Sequence, residues 1–106
     1  MDYDIKKGKF TDIDGDGLRK VVEETFGKAK MEGDLVVTSF GALDRLETKT
    51  LNKSQLFVCT KMNKDVSEEV ATETIKRYNQ FLEKATGFNA KERGKRAQKK
   101  AKQGGP

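Results

Sequence analysis

Apolar residues alternate with polar ones in five short stretches of the chain and recur at helical spacing in two others. Residues 2–10 read as a first strand with Tyr3, Ile5 and Phe10 as its apolar positions, weakened by Gly8. Residues 18–26 read as a short helix, because Leu18, Val21, Val22, Thr25 and Phe26 fall on one face. Gly27 is a natural stop, and Asp14 or Asp16 can cap the start. A short strand over 28–31 then turns at Glu32-Gly33-Asp34 into a second over 35–40. Gly41 marks a bend before a strand over 43–51, and Asn52-Lys53 a turn before one over 55–62. In that last strand Leu56, Val58, Thr60 and Met62 alternate with Phe57, Cys59 and Lys61. Apolar groups on both faces predict a central strand, with Cys59 as a small buried hydrophobe.

The longest periodic segment predicts a helix from about residue 67 to 86. Ser67 is a good N-cap, and Glu68 and Glu69 suit the positive end of the helix dipole. Ala71, Ile75, Tyr78, Leu82 and Ala85 form its expected core stripe, widened by Val70, Thr74 and Phe81. Gly87 and Phe88 resemble a glycine C-cap with its hydrophobic contact. Asn89-Ala90-Lys91-Glu92 then spells a capping-box start for a helix over 90–103. That segment has only alanines as apolar residues, and Gly94 costs a helix interior ~1 kcal/mol, so fraying is expected. Gly104-Gly105-Pro106 reads as a flexible end. The order β-α-β-β-β-β-α predicts an α+β domain over residues 1–88. Its antiparallel sheet of about four to five strands would carry the helices on one face and leave the other partly wet. A basic C-terminal helix or tail, partly disordered, would follow over 89–106.

Composition sharpens this picture. The chain of 106 residues is 37% charged and 34% hydrophobic, but the apolar residues are clustered, so a folded body is expected. No apolar run opens it, which points to a cytoplasmic protein without a membrane span. There is no histidine. That excludes Ser/His and Cys/His triads and histidine zinc sites, and it leaves Cys59 without its usual activating base. No Gly-rich phosphate motif or paired CxxC is present either, so the composition favours a non-enzymatic protein.

Two segments carry candidate chemistry. The first is Asp12-Ile13-Asp14-Gly15-Asp16-Gly17, with Glu23 following at calcium-loop spacing. In that reading Asp12, Asp14 and Asp16 offer side-chain oxygens, Leu18 a backbone carbonyl and Glu23 a bidentate carboxylate to Ca2+. Against it, an EF-hand needs an entering helix where a strand is expected, and a second loop. Arg19 also occupies a position such loops give to an apolar residue. Asp and Gly equally suit a polar turn that opens the helix over 18–26, and that reading comes first. A calcium-binding or protein-interaction role for the turn stands as the alternative.

The second segment holds the whole basic excess. Residues 91–106 carry seven Lys/Arg against Glu92, a net +6, while residues 1–90 carry the other 15 against 16 acidic residues, a net −1. As a helix, Lys91, Lys95, Lys99 and Lys102 form one stripe and Arg93, Arg96 and Lys100 another. Such a footprint suits the phosphate backbone of RNA or DNA. No aromatic is interleaved, so recognition would be indifferent to sequence. The lack of large apolar residues argues against a membrane surface. A wet sheet face leaves room for a protein partner or a homodimer.

The segments Phe40-Gly41-Ala42-Leu43-Asp44-Arg45-Leu46-Glu47 and Ile75-Lys76-Arg77-Tyr78-Asn79-Gln80-Phe81-Leu82-Glu83-Lys84-Ala85-Thr86-Gly87-Phe88 resemble a small archaeal family of uncharacterised proteins. The resemblance runs from the first strand into Ala90-Lys91-Glu92-Arg93. It implies a cytoplasmic archaeal protein and supplies no site residues.

Overall fold

The computed structural model describes the backbone of residues 2–103 and the side chains as far as Arg96. The end formed by Gly104, Gly105 and Pro106 lies outside the described residues. The order is β1 (Asp2–Asp4), α1 (Phe10–Ile13), α2 (Gly17–Phe26), β2 (Lys30–Glu32), β3 (Leu35–Phe40), β4 (Leu43–Asn52), β5 (Gln55–Met62), α3 (Glu68–Thr86) and α4 (Ala90–Gln103). The five strands form one antiparallel sheet in the order β1-β5-β4-β3-β2. This is the α+β architecture the hydrophobic pattern predicts. The central strand is β4, and β5 lies between β4 and β1. Both edge strands have three residues, which leaves little unpaired backbone to template association.

One face of the sheet carries the core. Val36 from β3, Leu46 from β4, and Leu56 and Val58 from β5 pack with Leu18, Val22 and Phe26 of α2 and Phe81, Leu82 and Ala85 of α3. Val22, Leu46, Leu56, Phe81 and Ala85 are fully buried. The rings of Phe26 and Phe81 lie 5.8 Å apart in a tilted arrangement. The β3–β4 turn is tied down by Thr74 of α3. Its hydroxyl accepts from the Ala42 amide at 2.9 Å and donates to the Val70 carbonyl at 2.7 Å. Gly41 sits there at φ 51°, and a Cβ would lie 2.5 Å from the Thr74 hydroxyl, so the approach requires glycine.

Three expectations are corrected. The first strand ends at Asp4, because β5, its partner, begins at Gln55 opposite it. Beyond that point Phe10–Ile13 coils into the short helix α1, and Ile13 is buried. Cys59 is exposed, since it alternates with the core residues Leu56 and Val58 and shares the open face with Phe57. On α3 the buried positions are Thr74, Phe81, Leu82, Ala85 and Thr86, with Tyr78 packed at the margin, whereas Ile75 is 53% exposed. Among the described residues no helix is long and apolar enough to cross a membrane.

Phe81→Ala should therefore cost about 3–5 kcal/mol by urea denaturation, the range for emptying a buried aromatic site. Ile75→Ala should cost under about 1 kcal/mol, as an exposed position does. Equal losses would show that the buried face of α3 is misassigned.

Candidate functional site

The basic segment is a helix docked on the body through its arginines. Gly87 closes α3 in the left-handed conformation, and its amide donates to the Glu83 carbonyl at 2.9 Å. Asn89 and Glu92 then form the reciprocal capping box. The Glu92 amide donates to Asn89 Oδ1 at 2.9 Å, and the Asn89 amide donates to Glu92 Oε1 at 3.2 Å. Arg93 turns inward, donating to the Phe88 carbonyl at 2.6 Å and to Asn79 Oδ1 on α3 at 2.9 Å. Arg96 donates to Asp4 Oδ2 on β1 at 3.1 Å and lies 4.5 Å over the Phe88 ring. Spacing of three places both arginines on one side of α4. Lys91 and Lys95, four apart, are exposed. Lys99, Lys100 and Lys102 continue the helix backbone, but their side chains lie outside the described residues.

The two predicted stripes thus separate by role. Arg93 and Arg96 hold the helix, and the described members of the lysine stripe face water. The same division runs through the molecule. Arg19 bonds to Asp16 and Glu23, Arg45 to Glu32 and Glu47, and Arg77 to Glu73 and the Thr25 carbonyl. All five arginines of the chain are engaged inside it. The planar guanidinium fork suits such multidentate bonding better than an ammonium group does. Beneath α4, the hydroxyls of Tyr3 and Tyr78 meet at 3.1 Å. Burial, reinforced by this bond, pushes the Tyr78 phenol above its ordinary pKa, and the nearby charge of Arg93 pulls the other way.

The acidic turn is a salt-bridged helix entrance. Asp12 pairs with Lys9 at 3.1 Å, and Asp14 Oδ1 accepts from the Gly15 amide at 2.9 Å. Arg19 donates to both Asp16 oxygens, at 2.7 and 2.8 Å, and to Glu23 Oε2 at 2.6 Å. The guanidinium occupies the place a cation would need to bridge Asp16 and Glu23. Its hydrogen bonds hold the Asp16 carboxyl below the usual range and raise the Arg19 pKa. Gly17 opens α2 so close to α1 that a Cβ there would lie 2.2 Å from the Asp12 carbonyl oxygen. Among the described residues no group of three or more acidic or cysteine side chains converges in a metal-holding arrangement. The spacing of Asp12, Asp14, Asp16, Leu18 and Glu23 is therefore not gathered into a calcium cage here.

Two surface depressions had no signal in the sequence. One of about 410 Å³ lies between the acidic turn, the β2–β3 turn and the end of β4. Ile13, Leu18 and Val36 floor it, and the exposed Met31 and Leu51 line it. The other, about 350 Å³, includes Lys30, Val37 and Arg45. Lys30 and Val37 pair across β2 and β3 on the face away from the helices. There Arg45 is bonded to Glu32 at 2.9 Å and to Glu47, which neutralises its charge and holds the Glu32 carboxyl below its usual range. Both depressions depend on strand register and on contacts between elements distant in sequence.

Fold and surface together define a small α+β domain with one covered sheet face and a docked basic helix. Residues 1–99 match the model of a domain of unknown function, DUF5611, and the chain belongs to that family. The match reaches past residue 88 into α4, so the family's domain includes most of the basic helix. The chain is similar to a hypothetical protein from the archaeon Thermoplasma acidophilum, known from a solution NMR structure. The two share 34% identity over 91% of this chain and 95% of that one, with a TM-score of 0.61. The archaeal, uncharacterised family implied by the sequence resemblance is thus the one found. No curated protein matches the chain.

Two outcomes are expected at the acidic turn. Millimolar calcium should leave the amide resonances of Gly15, Gly17 and Glu23 in place, and concerted shifts of all three would restore the cation reading. The depressed Asp16 pKa means that its bond to Arg19 stabilises the fold above the ordinary carboxylate range, with the contribution lost as pH falls through the lowered value. Arg19→Ala should therefore lower Tm near pH 7 and match the wild type by about pH 2. A Tm gap independent of pH, read by circular dichroism, would contradict this.

Proposed function

We propose that this protein is a non-enzymatic module that contacts the phosphate backbone of RNA or DNA through the outward side of α4. The observation that carries the reading is the inward turn of Arg93 and Arg96. It holds the helix on the body and leaves Lys91 and Lys95 exposed together on the other side. A docked helix presents its cations without the full ordering cost a free tail would meet on binding. Lysine is a flexible point charge, suited to phosphates that need not be met in one geometry. No aromatic residue follows the stripe, so base stacking adds nothing there and binding should be indifferent to sequence.

The displaced titrations support a binding module over an enzyme. Asp16, Glu32, Arg19 and Arg45 are shifted by pairing with each other on the surface, and Tyr78 by burial against Tyr3. Each shift is accounted for by a structural partner, which is the ordinary signature of surface ion pairs and a buried phenol.

Fluorescence anisotropy with labelled oligonucleotides at several salt concentrations tests this. Binding should weaken steeply with salt, and Lys91→Ala/Lys95→Ala should flatten the slope of log K on log salt by about two for every sequence tried. Salt-insensitive binding, or a slope unchanged in that variant, would refute it.

A further inference from the structure

The β1–α1 loop carries a second set of lysines that the fold brings to the foot of α4. Lys6 donates its amide to the Thr86 carbonyl at 2.7 Å, which fixes the loop against the end of α3. The approach is close: a Cβ at Gly87 would lie 3.0 Å from Lys6 Cβ and 3.3 Å from Lys9 Cγ. Lys6 and Lys7 are exposed, as is Lys84 in the last turn of α3. Lys91 follows Gly87 by four residues, a chain reach of at most about 14 Å. Three of the acids near this corner are engaged within the chain. Asp12 pairs with Lys9, Asp4 accepts from Arg96, and Glu92 caps α4. The exposed lysines are therefore not balanced by these carboxylates.

We infer that Lys6 and Lys7 form, with Lys91 and Lys95, one composite surface for the phosphate backbones of a nucleic-acid duplex. This rests on the reading of α4 given above and deepens it. Lys6 packs against Gly87, and Lys91 lies at most about 14 Å of chain beyond that glycine, so both sets of lysines border one corner of the body. Their long flexible side chains can there reach the two strands that flank a groove, about 6 or 12 Å wide in B-form DNA. A duplex also carries a denser line of charge than a single strand, and a lysine surface without aromatics responds to charge alone. Residues 1–90 carry a net −1, so a search for charge along the sequence passes over this loop.

Binding of the full chain to a duplex DNA of about 20 base pairs, a matched RNA duplex and one of their single strands tests the inference. Three variants are compared with the wild type: Lys6→Ala/Lys7→Ala, Lys91→Ala/Lys95→Ala and the quadruple. All four side chains are exposed, and amide spectra check that the fold is kept. The wild type should prefer at least one duplex to the single strand. Four phosphate contacts should make its affinity fall roughly 100-fold between 50 and 200 mM salt. Each double variant should flatten the slope by about two, and the quadruple by about four. If the helix variant loses affinity and the loop variant does not, the composite surface is wrong while α4 still binds. If neither variant changes binding, or the wild type does not bind at low salt, both readings fall. Equal or tighter binding of the single strand would overturn the duplex assignment.

Discussion

The structure depends on there being one apolar layer between one face of the sheet and two helices. A chain of 106 residues that is 34% hydrophobic fills a single core of that kind. Val22, Leu46, Leu56, Phe81 and Ala85, all fully buried, come from four different elements and meet there. Once α2 and α3 occupy that face, the other face of the sheet is left to residues that tolerate water. Lys30, Glu32, Arg45, Glu47 and the exposed Cys59 are found on it. The β3–β4 turn is fixed to α3 by the hydroxyl of Thr74, a polar link suited to the rim of the layer.

The final helix has no apolar side chain larger than alanine to place in that layer. It is attached by other means: a capping box at its start, two arginine hydrogen bonds to the body, and the Phe88 ring under a guanidinium. Such partly exposed contacts are individually modest. They position the helix without burying its charge. Arginines act as internal ties throughout the molecule, and lysines supply the exposed positive surface. The cations that reach outward therefore owe their arrangement to the ones that reach in.

Much of this was legible in the sequence. The helix over 18–26 declared itself through Leu18, Val22 and Phe26, and α3 through its Ser67 cap and Gly87 stop. Asn89 and Glu92 spelled the capping box that forms. What was not legible turned on long-range pairing. The strand 55–62 is apolar on both sides, so its pattern could not say whether Cys59 or Val58 faced the helices; the register with β4 decides it. Ile75 and Phe81 both fit a helical stripe, and packing on α2 selects Phe81. The partners of Arg93 and Arg96 lie 14 and 92 residues away in the chain, beyond any local motif. The calcium-like spacing could not show from the sequence that Arg19 reaches both Asp16 and Glu23, which only geometry displays.

The central claim is that the arginines fix α4 so that its lysines, with those of the β1–α1 loop, face a polyanion. An amide NMR titration of the full chain with a short duplex at low salt tests it most directly. Shifts should concentrate at Lys6, Lys7, Lys91 and Lys95 and be reversed by salt, while the strands' open face around Val37 and Phe57 stays still. Shifts centred on Val37, Phe57 and Cys59, or none at all, would contradict it.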